Sequence, residues 1–198
     1  LRAVYLGSTH GEMYEWGIGP GFVDNAPVFA PDYDPRERPW YRKAIETGDF
    51  AISEPYLYAS IKAMGITGVI PVNDKKGSFV GVLGVDIMLD DLKKIIEQLN
   101  PAKTGRVVLL NTENRVIVNQ FNGLGNETDQ FQLKEFTLFP VDPTGSFPRG
   151  HMLTPQGSGK RYYVTSTINS MTGWKVIVAL PYDYVMASAF QSIKFIIF

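Results

Sequence analysis

Two stretches of this 198-residue chain, residues 65–72 and 79–87, leave it few folds to choose from. Both are dominated by Val, Ile and Gly, carry few charges until Asp86, and flank the turn-forming residues 73–77. Apolar, β-branched runs bounded by turn chemistry read as paired strands, so they are predicted to form a hairpin with residues 74–77 as its turn. A second pair, residues 160–168 and 174–180 around a turn at 169–173, holds the matching position in the other half. A shorter pair precedes each: residues 1–6 with 12–16, and residues 105–110 with 115–119. Two hairpins bracketing a loop-rich region, twice over, make an internal repeat. The predicted fold class is mixed α/β (α+β): two tandem units, each a mostly antiparallel sheet with short helices and long loops over one face.

Helices are predicted at residues 40–47 and 90–98, the second with Leu92, Ile95, Ile96 and Leu99 on one side and Asp90 near its positive end. Asn100-Pro101 ends that helix, so the first unit is read as residues 1–99 and the second as 100–182, with an exit helix over 183–198. Residues 122–155 are polar and rich in Gly and Pro; a short helix near 130–137 is the only element predicted there. Trp16 and Trp174 are read as core.

The chemistry the sequence argues against is broad. His10 and His151 lie in a turn and a loop, with no second ligand at metal spacing. There is no nucleophile elbow, no phosphate-cradling glycine loop and no carboxylate pair set to differ in acidity, so no catalytic residue, metal or cofactor is predicted. A net charge of −1 without a basic face argues against nucleic acid. The absence of cysteine excludes a disulfide framework. No apolar run approaches the eighteen or so residues of a membrane span, although Ile193–Phe198 ends the chain as though at the start of one.

The stretch that carries recognition chemistry is Tyr33-Asp34-Pro35-Arg36-Glu37-Arg38-Pro39-Trp40-Tyr41. Each proline fixes its own φ and pushes the preceding residue towards extended geometry, so the segment is rigid and irregular. It can hold a guanidinium, an indole N–H and phenol hydroxyls at fixed positions over a pocket. A planar guanidinium is a two-pronged partner for a carboxylate. The plain structural alternative also stands: Arg38 lying along Trp40 at the surface, Trp40 as core, and Tyr33 and Tyr41 as ordinary core aromatics.

Tyr33–Tyr41, a later Tyr56, the two long strands and the Gly84-Val85-Asp86-Ile87 ending follow one another in an order that resembles double Cache domains. These are the PAS-like extracytoplasmic sensors of prokaryotic transmembrane receptors. The likeness covers the membrane-distal module over about residues 1–95, with the rest resembling the membrane-proximal module. It departs at Tyr58, where the family usually has an Asp-containing turn, and in starting on a strand where members usually enter through a long helix.

The resemblance implies a ligand site of the subset that recognises free α-amino acids, filled here by Tyr33, Arg38, Trp40, Tyr41, Tyr56 and Asp86. Arg38, Trp40 and Tyr33 would hold the carboxylate; Asp86, with Tyr41 and Tyr56, would take the ammonium. Asp86 also has a structural alternative, terminating its strand. The implied parent is a membrane-anchored, homodimeric receptor with this domain periplasmic or extracellular. Its expected output is a histidine kinase; a chemotaxis receptor, a cyclase and an α2δ-type channel accessory subunit are the alternatives. A protein-binding module with a vestigial pocket is the reading from another class.

Overall fold

The structure, a computed structural model, describes residues 3–17, 29–61, 63–99, 101–121, 133–139, 150–155 and 157–187. The chain divides into two compact units, Leu1–Leu92 and Lys93–Phe198.

In the first unit the long hairpin forms as its composition demands. Strands β5 (Met64–Asn73) and β6 (Phe79–Met88) pair antiparallel, with Thr67 opposite Asp86 and Val69 opposite Gly84. Strand β1 (Ala3–Ser8) lies on the other side of β6, and β2 (Met13–Gly17) lies outside β1. Two short strands, β3 (Ala51–Ile52) and β4 (Tyr56–Leu57), cap the far edge of β5. The sheet order is therefore β2-β1-β6-β5-β3, with β4 also on β5.

Side chains alternate across such a sheet, so Tyr5, Glu15, Thr67, Val69, Val82 and Asp86 share one buried face. Glycines on that face make room for aromatic rings. A Cβ at Gly84 would stand 2.3 Å from the Tyr5 ring, and one at Gly65 would stand 2.1 Å from Tyr58. The glycines that the strand pattern placed among Val and Ile are thus sites of close approach.

Helix α1 (Pro39–Thr47) covers part of this face. Proline at its first turn supplies a ready-made φ, and Gly48, with φ of 70°, ends it in the left-handed conformation. Trp40, Tyr41 and Ala44 on α1 pack with Ala3, Tyr5, Ala51, Val69 and Val82 as one core. Helix α2 (Leu89–Gln98) follows β6, and the division between the units falls within it. Only Leu89 of α2 is buried; Ile95 and Leu99, expected on an apolar side, stay half-exposed.

The second unit repeats the threading with strands β7 (Arg106–Leu110), β8 (Val116–Asn119), β9 (His151–Leu153), β10 (Tyr162–Ile168) and β11 (Lys175–Pro181). Their order is β8-β7-β11-β10-β9, antiparallel throughout. In both sheets the first hairpin sits at one edge and the last hairpin inside. Val108, Leu110, Val116, Phe121, Phe136 and Ile177 belong to its core.

Three expectations change. Residues 133–137 of the expected short helix are not helical: Lys134 O accepts from Val116 N, and Phe136 N donates to Asn114 O. The segment runs beside β8, where its backbone finds partners; residues 130–132 lie outside the described residues. Strand β9 was not foreseen, because His151 and Met152 are exposed and carry no apolar alternation. Trp16 is 40% exposed and not core, because its alternation on β2 sends it to the face opposite Glu15; Trp174 is buried. Of the expected exit helix, residues 183–187 are helical and 188–198 lie outside the described residues. Among the described residues no helix is long and apolar enough to cross a membrane.

Candidate ligand-binding cleft

The proline-flanked stretch folds as a 3-10 turn, Pro35–Glu37, running straight into α1. Asp34 caps the turn, its Oδ1 accepting from Arg36 N at 2.9 Å. The Arg36 guanidinium returns to Asp34, with Nη2 2.6 Å from Oδ2, and also donates to Thr9 O at 3.1 Å in the β1–β2 turn. Arg36 therefore braces the loop, and its hydrogen bonds hold the Asp34 carboxyl below the usual carboxylate range. Arg38 sits between turn and helix with extended backbone (φ −78°, ψ 148°) and makes no side-chain cap. Its side chain turns to the cleft instead. There Nη2 donates to Leu57 O at 2.9 Å, and the guanidinium carbon lies 5.9 Å from the ring centres of both Tyr33 and Tyr56.

The base of the cleft is a hydrogen-bonded chain on the sheet. Asp86 Oδ1 accepts from the Tyr5 hydroxyl at 2.5 Å and from Thr67 Oγ1 at 2.7 Å. Thr67 Oγ1 also lies 2.7 Å from the Tyr56 hydroxyl. A hydroxyl has one proton, and that of Thr67 goes to Asp86, so Tyr56 is the donor to Thr67. The order is Tyr56 to Thr67 to Asp86, met from the other side by Tyr5. Thr67 is fully buried and Asp86 nearly so. Burial, with the Asp86 charge beside it, pushes the Tyr5 phenol far up and does the same to Tyr56 and Tyr58. All three are neutral donors at ordinary pH. Burial also raises the Tyr33 phenol, against a hydrogen bond from the Trp40 indole and the charge of Arg38.

Together these residues line an open cleft whose empty space, counting the part continuous with solvent, is about 250 Å³. Of the six residues singled out from the sequence, the structure brings Tyr33, Arg38, Trp40, Tyr56 and Asp86 to its lining. Tyr41 is not there. Its ring stands edge-on to Phe79 at 6.4 Å and its hydroxyl lies 3.5 Å from Ser8 O. Consecutive helical residues point about 100° apart, so with Trp40 against Tyr5 the next side chain leaves the cleft.

Three lining residues, Tyr5, Glu15 and Phe29, carry chemistry that the sequence reading passed over. Tyr5 and Glu15 were read only as strand residues, and alternation on β1 and β2 was the signal available for both. Phe29 stacks on Tyr33 at 4.3 Å from the far side of the loop, and nothing local announces it. Tyr58, where the sequence departs from the family, is buried as a wall of the cleft; its hydroxyl shares one proton between Ile66 O at 2.7 Å and Ile87 O at 2.9 Å. Thr67 supports the lining from the sheet, and only the β5–β6 register reveals its place beside Asp86. The cleft thus presents a cationic fork and two carboxylates, Glu15 and Asp86, among neutral phenols, which suits a small ligand bearing both charges. Among the described residues no cluster of three or more His, Asp or Glu could hold a metal ion.

A family model described as Cache domain matches residues 4–189. A probable methyl-accepting chemotaxis protein of Bacillus thuringiensis subsp. konkukian is 27% identical over 191 residues, 96% of this chain and 26% of that protein. The methyl-accepting chemotaxis protein PscA of Pseudomonas syringae pv. tomato is 36% identical over 115 residues, 58% of this chain and 17% of its own length. This chain thus spans about a quarter or less of those relatives. Both are chemotaxis proteins, which lends no support to the expected histidine kinase output and fits the chemotaxis alternative better. The ligand binding domain of the Pseudomonas aeruginosa PAO1 amino acid chemoreceptor PctB in complex with L-Arg superposes with a TM-score of 0.66 at 24% identity, covering 92% of this chain and 72% of that one. The Pseudomonas fluorescens chemoreceptor CtaA domain with L-isoleucine gives 0.66 at 21%, covering 94% and 71%. At those identities the two structures share the fold. With a family match running nearly its full length and the doubled sheet beneath it, this chain belongs to the Cache domain family.

Proposed function

We propose that this chain is the extracytoplasmic sensor domain of a membrane-anchored chemotaxis receptor and that its first unit binds a free α-amino acid. The observation that carries the reading is the meeting of Arg38 and Asp86 in one small cleft, each held by other residues before any ligand arrives. Arg38 and the Trp40 indole receive the α-carboxylate, with Tyr33 beside them. Asp86 receives the ammonium, and Tyr56 offers hydroxyl lone pairs next to it. A ligand missing either charge forgoes one of the two charge-assisted contacts, so both groups are required for full affinity. The chemotaxis proteins among the relatives, and the amino acids named with the PctB and CtaA structures, support the same reading. Signalling requires the ligand to bind one conformation better than another, and the homodimeric receptor would transmit that difference through the helix after β11.

The test is calorimetry with the common amino acids, with the corresponding carboxylic acids and amines, and with Arg38→Ala and Asp86→Ala. Binding only by molecules carrying both α-groups, weakened by about tenfold or more in each variant, is the expected result. Binding of simple carboxylates that ignores Asp86→Ala would remove the amino-acid claim while keeping a ligand sensor.

A further inference from the structure

Three hydroxyl protons meet at the base of the cleft, and all run towards Asp86, directly or through Thr67. The Tyr5 hydroxyl donates to Asp86 Oδ1 at 2.5 Å, and Thr67 Oγ1 donates to the same oxygen at 2.7 Å. Tyr56, 2.7 Å from Thr67 Oγ1, gives its proton to that oxygen, because the Thr67 proton is already committed to the carboxylate. The 3.2 Å approach of Tyr5 to Thr67 then lies between two oxygens whose protons point elsewhere. Burial keeps the phenols neutral, so each retains the proton it donates. Lone pairs are what these hydroxyls have left to offer a ligand.

Thr67 is the member that fixes this direction. It is fully buried, stands opposite Asp86 in the β5–β6 register, and lies behind the lining of the cleft. Ser53 clamps its backbone: Thr67 N donates to Ser53 Oγ at 3.0 Å, and Thr67 O accepts from Ser53 N at 2.9 Å. A β-branched side chain is stiff at χ1, so a hydroxyl on this backbone keeps one position. Tyr56 and Asp86, which both line the cleft, each come within 2.7 Å of that one oxygen.

We propose that Thr67 is a positioning residue: by taking the Tyr56 proton it makes Tyr56 an acceptor, and the cleft thereby selects an α-ammonium over an α-hydroxyl. This rests on the amino-acid reading above and refines its ammonium end. An ammonium brings three protons and can donate to Asp86 and Tyr56 together, whereas an α-hydroxyl brings one. Without the Thr67 hydroxyl, the Tyr56 proton is free to turn to the ligand. There it meets a hydroxyl oxygen favourably and an ammonium unfavourably. The discrimination therefore depends on a side chain set behind the ligand's contacts.

The test is calorimetry with the common L-amino acids and, for each that binds, the L-2-hydroxy acid of the same side chain, as L-lactate for L-alanine. It uses the unaltered chain, Thr67→Val, Thr67→Ser, Tyr56→Phe, and Thr67→Val combined with Tyr56→Phe. The unaltered chain should hold the amino acid about tenfold or more tighter than its hydroxy acid. Thr67→Val should shrink that ratio by about fivefold or more, and Thr67→Ser, which keeps the hydroxyl, should retain it within about twofold. In the Tyr56→Phe background Thr67→Val should move the ratio by less than about twofold, since Thr67 acts through Tyr56. A purely structural Thr67 would lower both affinities alike and leave the ratio unchanged, which would overturn the proposal. An equal drop with and without the Tyr56 hydroxyl would overturn it as well. If Thr67→Val does not fold, nuclear Overhauser contacts of the Tyr56 hydroxyl proton in the unaltered chain decide. Contact with the Thr67 side chain is expected, and contact with a bound amino acid instead overturns the proposal. Amino acids bound through Arg38 and Asp86 with no preference over their hydroxy acids would end this inference and leave the amino-acid reading standing. If no α-amino acid binds, both fall.

Discussion

The Tyr5 hydroxyl donates to Asp86 Oδ1 at 2.5 Å, joining neighbouring strands β1 and β6 through their side chains as well as their backbones. A donor held on a buried carboxylate both steadies the charge and fixes its direction. The Tyr5→Phe variant removes that donor and leaves the ring in place. It should lower stability by about 1.5–3 kcal/mol, the range for hydrogen bonds to charged groups, measured by urea denaturation. Ligand affinity should fall with it, since Asp86 loses one of its orienting partners.

The buried phenols predict alkaline behaviour. Tyr5, Tyr56 and Tyr58 are all raised from the ordinary value of 10.0, chiefly by burial. A folded pKa above the unfolded one means the stabilisation is complete below pH 10 and is lost as pH rises, because the unfolded chain releases protons that the fold retains. Tyrosinate absorbance and circular dichroism followed together should show these three ionising only as the first unit unfolds. Their smooth titration in a folded protein would contradict the burial argument.

Glycine at position 84 is required by the Tyr5 ring lying across it. In Gly84→Ala the new methyl would begin 2.3 Å from that ring. Tyr5 must then move, at a cost of about 1–3 kcal/mol for overpacking, and its bond to Asp86 should loosen. Thermal denaturation and calorimetry on the same variant should report loss of both stability and ligand binding.

Tyr41 separates a structural role from a binding one. Among the described residues its hydroxyl has only a long 3.5 Å approach to Ser8 O, and its ring stays in the core. Tyr41→Phe should leave amino-acid affinity within about twofold and change stability by less than about 0.5 kcal/mol. A large loss of affinity would mean that Tyr41 reaches the cleft in the bound state.

Much of this architecture was legible because strong local patterns agree with it. The β5–β6 and β10–β11 hairpins are long, β-branched and bounded by turn residues, and the matching order of the two sheets follows from the repeat. Arg38 and Trp40 were legible because the prolines on either side of Arg38 fix where the chain can point. Tyr41 stands outside the lining because adjacency in a motif hides the helical rotation between consecutive residues. The acceptor chain through Thr67, and the inward place of Glu15, depend on strand register. Register is a property of pairs of strands, and no single stretch displays it. Strand β9 stayed hidden because its residues are mostly exposed and it is held by backbone pairing to β10.

The segment that brings Tyr56 to the cleft also finishes the sheet's rim. Strands β3 and β4 are two residues each and meet β5 at Gly68–Val69 and Met64–Gly65, with Ser53 bonding the Thr67 backbone between them and Pro55 following. A rim broken into such short pieces offers no continuous row of amides to a passing strand. The cleft wall and the protection of the rim against self-templated aggregation thus rest on the same few residues. A change at Tyr56 should therefore alter solubility as well as the cleft wall.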